Sequence, residues 1–73
     1  MTNTNLLKAK IKENGFKYGF LADQLGISAY GLANKMNNKT EFKATEIQTL
    51  CRILKIDSLT EKEAIFFDQM VEN

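Results

Sequence analysis

Ala29, Tyr30, Ala33 and Asn34 fall on one side of a helical pattern, with Asn37 a turn further on, while Leu32 and Met36 fall on the other side. The first side is small and amide-bearing. An asparagine amide presents a donor and an acceptor together, the pair that matches adenine N6 and N7 in the major groove of duplex DNA, and an alanine methyl fits against a thymine methyl. Tyr30 can stack, or donate its hydroxyl to a phosphate or a base edge. Lys35, Lys39 and Lys43 flank this side and can neutralise phosphates. Taken singly, each of these residues is an ordinary solvated side chain. Their joint placement on one face of one capped helix is what points to a nucleic-acid surface.

Such a face needs elements that hold it outward. Residues 20–38, FLADQLGISAYGLANKMNN, read as two short helical patterns separated by a tight Gly-Ile-Ser turn. Leu21, Ala22 and Leu25 form the apolar stripe of the first, and Ile27, Leu32 and Met36 that of the second. Gly26 can take the left-handed backbone that a sharp turn requires. The Ser28 hydroxyl is placed to accept the N–H of Gly31 and cap the second helix. A helix-turn-helix is therefore expected, with its helices over 18–25 and 28–37.

The remaining elements read as support. A first helix is expected over 5–14, capped by Asn3 or Thr4 and stopped by Gly15, with Leu7 and Ile11 inward and Lys8, Lys10 and Lys12 on a polar side, solvated or reaching a phosphate. After a polar loop, Phe42 is expected to turn back into the core. A fourth helix over 44–55 carries Ile47, Leu50, Cys51 and Leu54 on one stripe. Thr60 and Glu63 form a capping box at the head of a final helix over 60–71. Gly19 and Gly31 each cost about 1 kcal/mol against alanine within a helix; nothing in the sequence accounts for Gly19.

Composition narrows the classes of function. Seventy-three residues make one small domain, 1–73, with residues 1–4 expected to be disordered. A chain of this length buries only about 60–65% of its unfolded surface, which leaves little room for a large enzyme pocket. One cysteine, Cys51, permits no intrachain disulfide, and with no histidine neither a zinc site nor a histidine-based triad can be assembled. No convergent carboxylate pair or phosphate-cradling glycine loop is visible, so no catalysis, metal or cofactor is expected. No apolar run is long enough to span a membrane and no charged-then-apolar leader opens the chain, so a cytoplasmic protein is expected.

The net charge of +1 at first argues against a polyanionic partner. Its distribution argues for one. Residues 1–56 carry nine Lys/Arg against four acids, and residues 57–73 carry one lysine against five acids. A chain polarised in this way can turn a basic side towards a polyanion while its acidic end points elsewhere.

The final helix is unusually apolar. Leu59, Ile65, Phe66, Phe67, Met70 and Val71 exceed what one short terminal helix needs, and three consecutive large residues spread over roughly 200° of helix circumference. Either the helix wraps tightly and buries both phenylalanines, or Leu59, Phe66, Phe67 and Met70 supply a two-fold homodimer patch.

The run Leu21-Ala22, Leu25-Gly26-Ile27-Ser28 and Leu32, with Ile47-x-x-Leu50 and Leu54-x-Ile56 further on, resembles the Cro/repressor-type (XRE-like) helix-turn-helix family. Residues 35–42, the fourth helix and the Ile65-Phe66-Phe67 ending are similar to short Cro-like regulators of temperate phages and prophages. The resemblance covers about residues 5–67. It implies a compact, all-α, five-helix, lambda-repressor-like DNA-binding domain that occupies an operator, partly palindromic if the protein is a dimer, and blocks transcription. By position it makes Ala29, Tyr30, Ala33 and Asn34 the base readers, and Ser28, Asn37, Asn38 and Lys39 backbone contacts. Tyr18 stands where the family often has a phosphate-binding glutamine, and Lys17 where a threonine cap is usual; a tyrosine hydroxyl or a lysine can take over that phosphate. The other class implied is a protein-interaction module of the same fold, such as an anti-repressor or antitoxin, which the low net charge and the apolar last helix favour.

Overall fold

The computed structural model describes residues 1–69, and among them there are five α-helices and no strand. They are α1 (Thr4–Asn14), α2 (Tyr18–Leu25), α3 (Ala29–Met36), α4 (Ala44–Ile53) and α5 (Leu59–Phe66). The protein is all-helical. Met70, expected at the dimer patch, and Val71 lie outside the described residues, while the final helix, expected to run to residue 71, already ends at Phe66 with Phe67 as its cap.

Local chemistry sets most of these ends. The Asn3 side chain accepts the N–H of Leu6 at 3.0 Å and opens α1. Gly15 closes α1 in the left-handed region, its N–H returned to the carbonyls of Ile11 and Lys12. Gly26 closes α2 in the same way at φ 70°, with its N–H on the carbonyls of Ala22 and Asp23. Two residues later Ser28 is extended, and its Oγ accepts the Gly31 N–H at 2.9 Å. The chain thus reverses from α2 into α3 through residues 26–28, with both helix ends satisfied.

Besides the early end of α5, two more ends differ from expectation. Helix α4 stops at Ile53 rather than near residue 55, because Lys55 turns left-handed (φ 59°) and the Ile56 N–H closes on the Cys51 carbonyl at 2.9 Å. That closure puts both Leu54 and Ile56 in the core. The cap of α5 falls two residues early. Ser58, not Thr60, is its cap and accepts the Glu61 N–H at 3.0 Å, so the box expected from Thr60 and Glu63 does not form.

The core is drawn from every helix. Leu7 and Ile11 come from α1, Leu21 and Ala22 from α2, Leu32 and Met36 from α3, Ile47 and Leu50 from α4, and Ile65 and Phe66 from α5. Helix α2 packs against α3 and α4, and α1 against α5. Phe42 does turn back, meeting Phe66 edge-on at 5.7 Å between ring centres. Phe16 and Phe20 stack at 5.2 Å near the head of α2.

The amino terminus, expected to be disordered, is instead tied into the domain. The Asn3 N–H donates to the Ile65 carbonyl at 2.6 Å, and the Asp68 N–H donates to the Met1 carbonyl at 2.9 Å. Thr2 is buried, and its N–H and C=O both pair with the side chain of Asn38, at 2.8 and 2.9 Å. The Thr4 hydroxyl donates to the Met36 carbonyl. The bonds to Met36 and Asn38 satisfy polar groups at the carboxyl end of α3 and those to Ile65 and Asp68 hold the tail to the end of α5, each contributing about 0.5–1.5 kcal/mol net. Their partners lie more than thirty residues away in sequence, which is why composition alone makes the tail look free.

Candidate nucleic-acid interface

Helix α3 divides cleanly along its length. Leu32 and Met36 are buried against the rest of the core, while Ala29, Tyr30 and Ala33 face solvent and Asn34 is half-buried. Tyr30 is 77% exposed, far more than any packing role would leave it. The Asn34 side chain makes no internal hydrogen bond among the described residues, so its donor and acceptor are both available. Its backbone carbonyl, by contrast, accepts the N–H groups of Lys39 at 2.9 Å and Thr40 at 3.4 Å. That pins the following loop and leaves Lys39 exposed just beyond the end of α3.

Gly31 has a local explanation. A Cβ built at this position would sit 3.3 Å from the Ser28 Oγ, so the glycine leaves room for the hydroxyl that caps its own N–H. At Gly19 a Cβ would meet nothing within 4 Å, and the structure offers no packing reason for the glycine there.

The positions expected at phosphates separate into two groups. Lys17, Ser28, Asn37, Lys39 and Lys43 are exposed, and Tyr18 is 46% exposed. The lysines among them make no ion pair with any described residue. Lys35 belongs elsewhere. Its ammonium lies 2.7 Å from Glu46 Oε1 and 3.3 Å from the Glu41 carbonyl, with only 13% of the side chain exposed, so it serves the fold rather than a phosphate. Glu46 is itself buried and also accepts the Lys43 N–H at 2.8 Å. Burial pushes its carboxyl up, but the Lys35 ammonium and the Lys43 N–H and charge outweigh that and hold it below the ordinary carboxylate value. Asn38 also leaves the set. Left-handed at φ 65°, it has both ends of its amide engaged by Thr2.

Helix α5 resolves its apolar excess unevenly. Phe66 is buried at 4% exposure and belongs to the core, not to a dimer patch. Leu59 and Phe67 are left outside at 67% and 52%. Cys51 is half-buried, and burial raises its thiol, as expected of an inert packing residue.

Of the three α1 lysines that the sequence leaves as solvated or phosphate-reaching, Lys8 is the one placed near α3. It lines a cleft of ≈ 140 Å³ together with Tyr18 and, from α3, Ala29, Leu32, Ala33, Met36 and Asn37. A cation of α1 therefore stands directly across from the outward face of α3, a tertiary proximity that no local pattern reports.

No family model, no curated protein and no solved structure matches the chain. Among the described residues no helix is long and apolar enough to cross a membrane, and no group of three His, Cys, Asp or Glu is placed to hold a metal ion.

Proposed function

We propose that the chain is a sequence-specific duplex-DNA-binding regulator, a Cro-like repressor in which α2 and α3 act as a helix-turn-helix. The observation that carries this reading is the outward face of α3: a capped, core-backed helix presents Tyr30 and an unengaged Asn34 amide to solvent among alanines. No demand of the fold explains an aromatic so exposed beside an amide without a partner. In the major groove Asn34 would take an adenine edge, Ala29 and Ala33 would lie against thymine methyls, and Tyr30 would reach a base edge or phosphate. Lys17, Tyr18, Ser28, Asn37, Lys39 and Lys43 would hold the sugar-phosphate backbone. Bound over an operator, the protein would repress by excluding polymerase, without catalysis or cofactor.

Selection of bound duplexes from a random pool, followed by gel shifts over a salt series, tests this. Asn34→Ala is expected to lose about 1–3 kcal/mol of discrimination at one base pair, and Lys39→Ala to weaken all sequences alike. Binding that is insensitive to salt and to sequence would reject the reading.

The exposed Leu59 and Phe67 favour a second reading, a module of the same fold that binds a partner protein in the manner of an anti-repressor or antitoxin. A stable protein hetero-complex together with no enrichment from the random pool would support it.

A further inference from the structure

Lys8 and Lys12 are separated by one helical turn and share one side of α1, whereas Lys10 lies on the opposite side. Lys10 is neutralised there, 3.0 Å from Glu61 and 3.9 Å from Glu13. Lys8 and Lys12 have no acidic partner among the described residues, and neither does Lys17. These three ammonium-bearing residues line one open groove of ≈ 430 Å³ together with Ile11, Phe16 and Tyr18. Lys8 and Tyr18 also line the cleft against Ala29, Ala33 and Asn37. The groove and the face of α3 are therefore one continuous surface.

Three uncompensated like charges on two adjoining helix segments oppose folding rather than assist it. Their arrangement fits an anion of extended form better than a single small one, because the cations are spread along a groove and do not converge on a point.

We propose that Lys8 and Lys12 of α1, with Lys17 and the Tyr18 hydroxyl, form a phosphodiester-binding strip that grips the backbone of the same duplex whose major groove α3 enters. The strip rests on the DNA reading of α3 and adds to it a second line of contact, carried by α1 and the head of α2. Part of the affinity then comes from α1, a helix outside the reading motif, and sequence preference from α3. The nearly uncharged reading face needs such a source.

The test compares the whole chain with a Lys8→Ala/Lys12→Ala variant and with a Lys10→Ala control, on a labelled random-sequence duplex and on a duplex selected from a random pool. Loss of two phosphate contacts should make the slope of log affinity against log salt shallower by about 1.8, so that the deficit of the variant narrows about tenfold between roughly 50 and 200 mM salt. The ratio of affinities for the two duplexes should stay unchanged, and Lys10→Ala should match the original protein. Circular dichroism melts of each variant check that the fold is retained, and Lys8→Gln/Lys12→Gln, which keeps the side-chain length, should behave as the alanine pair does. If the original protein binds with a steep salt slope and the double variants bind with the same slope, the strip is overturned while the reading of α3 stands. If the original protein shows no salt-sensitive binding to either duplex, both fall.

Discussion

At Gly31 helix propensity and capping pull in opposite directions. Alanine would stabilise the interior of α3 by about 1 kcal/mol. Its Cβ, however, would press on the Ser28 Oγ at 3.3 Å, and weakening that cap costs about 0.5–2 kcal/mol. Gly31→Ala alone should therefore change stability by less than about 1 kcal/mol, whereas in a Ser28→Ala background the same change should stabilise by about the full 1 kcal/mol. Urea denaturation of the four proteins of this cycle measures the coupling, and strict additivity would show that the glycine is not there for the cap.

Glu46 makes a different residue-scale prediction. Because its carboxyl is held below the ordinary value of 4.5 in the folded state, the charged form stabilises the fold above that pH. The contribution is lost as pH falls through the folded value, so the melting temperature should drop on the acid side of 4.5. Glu46→Gln should cost about 1–3 kcal/mol near neutral pH and show a flatter acid limb, since the charge-assisted bonds to Lys35 and Lys43 are gone at every pH. Parallel melts across the acid range decide it; profiles of identical shape would mean that the ion pair carries no pH-dependent stability.

At the scale of elements, what the sequence makes legible is what neighbours in the chain decide. Helix α2 spans the predicted residues because Gly26 sits immediately after its last apolar position, and α3 starts where Ser28 caps it. The head of α5 is misjudged because Ser58-x-x-Glu61 and Thr60-x-x-Glu63 are overlapping frames of one signal, two residues apart. Local chemistry cannot rank them. Ser58→Ala should therefore cost about 1 kcal/mol, a fall of about 4–8 °C in melting temperature for a domain of this size, while Thr60→Ala should be close to neutral. The reverse order in thermal melts would restore the later frame.

The site itself was only half legible. Its outward residues follow from helical spacing within α3, so Ala29, Tyr30, Ala33 and Asn34 could be placed together beforehand. Which cations surround them depends on tertiary contacts. Lys35 is withdrawn by an acid eleven residues further on, Asn38 by a threonine thirty-six residues back, and Lys8 is added by the packing of α1 beside α3. Helical periodicity carries no information about pairings at such separations.

On the scale of the whole molecule, size and the disposition of apolar surface bear on assembly. The described chain measures 29 × 25 × 21 Å, less than the roughly 34 Å between successive major-groove faces on one side of B-DNA. If the proposed DNA reading holds, one copy would place one α3 in one groove segment, and a partly palindromic operator would take two copies. With Phe66 withdrawn into the core, Leu59 and Phe67 are, among the described residues, the exposed large apolar side chains on α5 and its cap. Stable interfaces bury about 800 Å² per partner, and two side chains fall well short of that. Self-association is therefore expected to be weak in free solution and to become effective when DNA holds two copies side by side, where the second encounter is effectively intramolecular. Sedimentation of the free protein at micromolar concentration should show a monomer, and titration of a duplex carrying two half-sites one helical turn apart should show cooperative occupancy. Leu59→Ser/Phe67→Ser should abolish the cooperativity and leave affinity for a single half-site within about twofold, because neither residue lies on the face of α3. Cooperativity that survives this double substitution would place the contact between copies elsewhere on the molecule, and a stable free dimer that also survives it would remove α5 from assembly altogether.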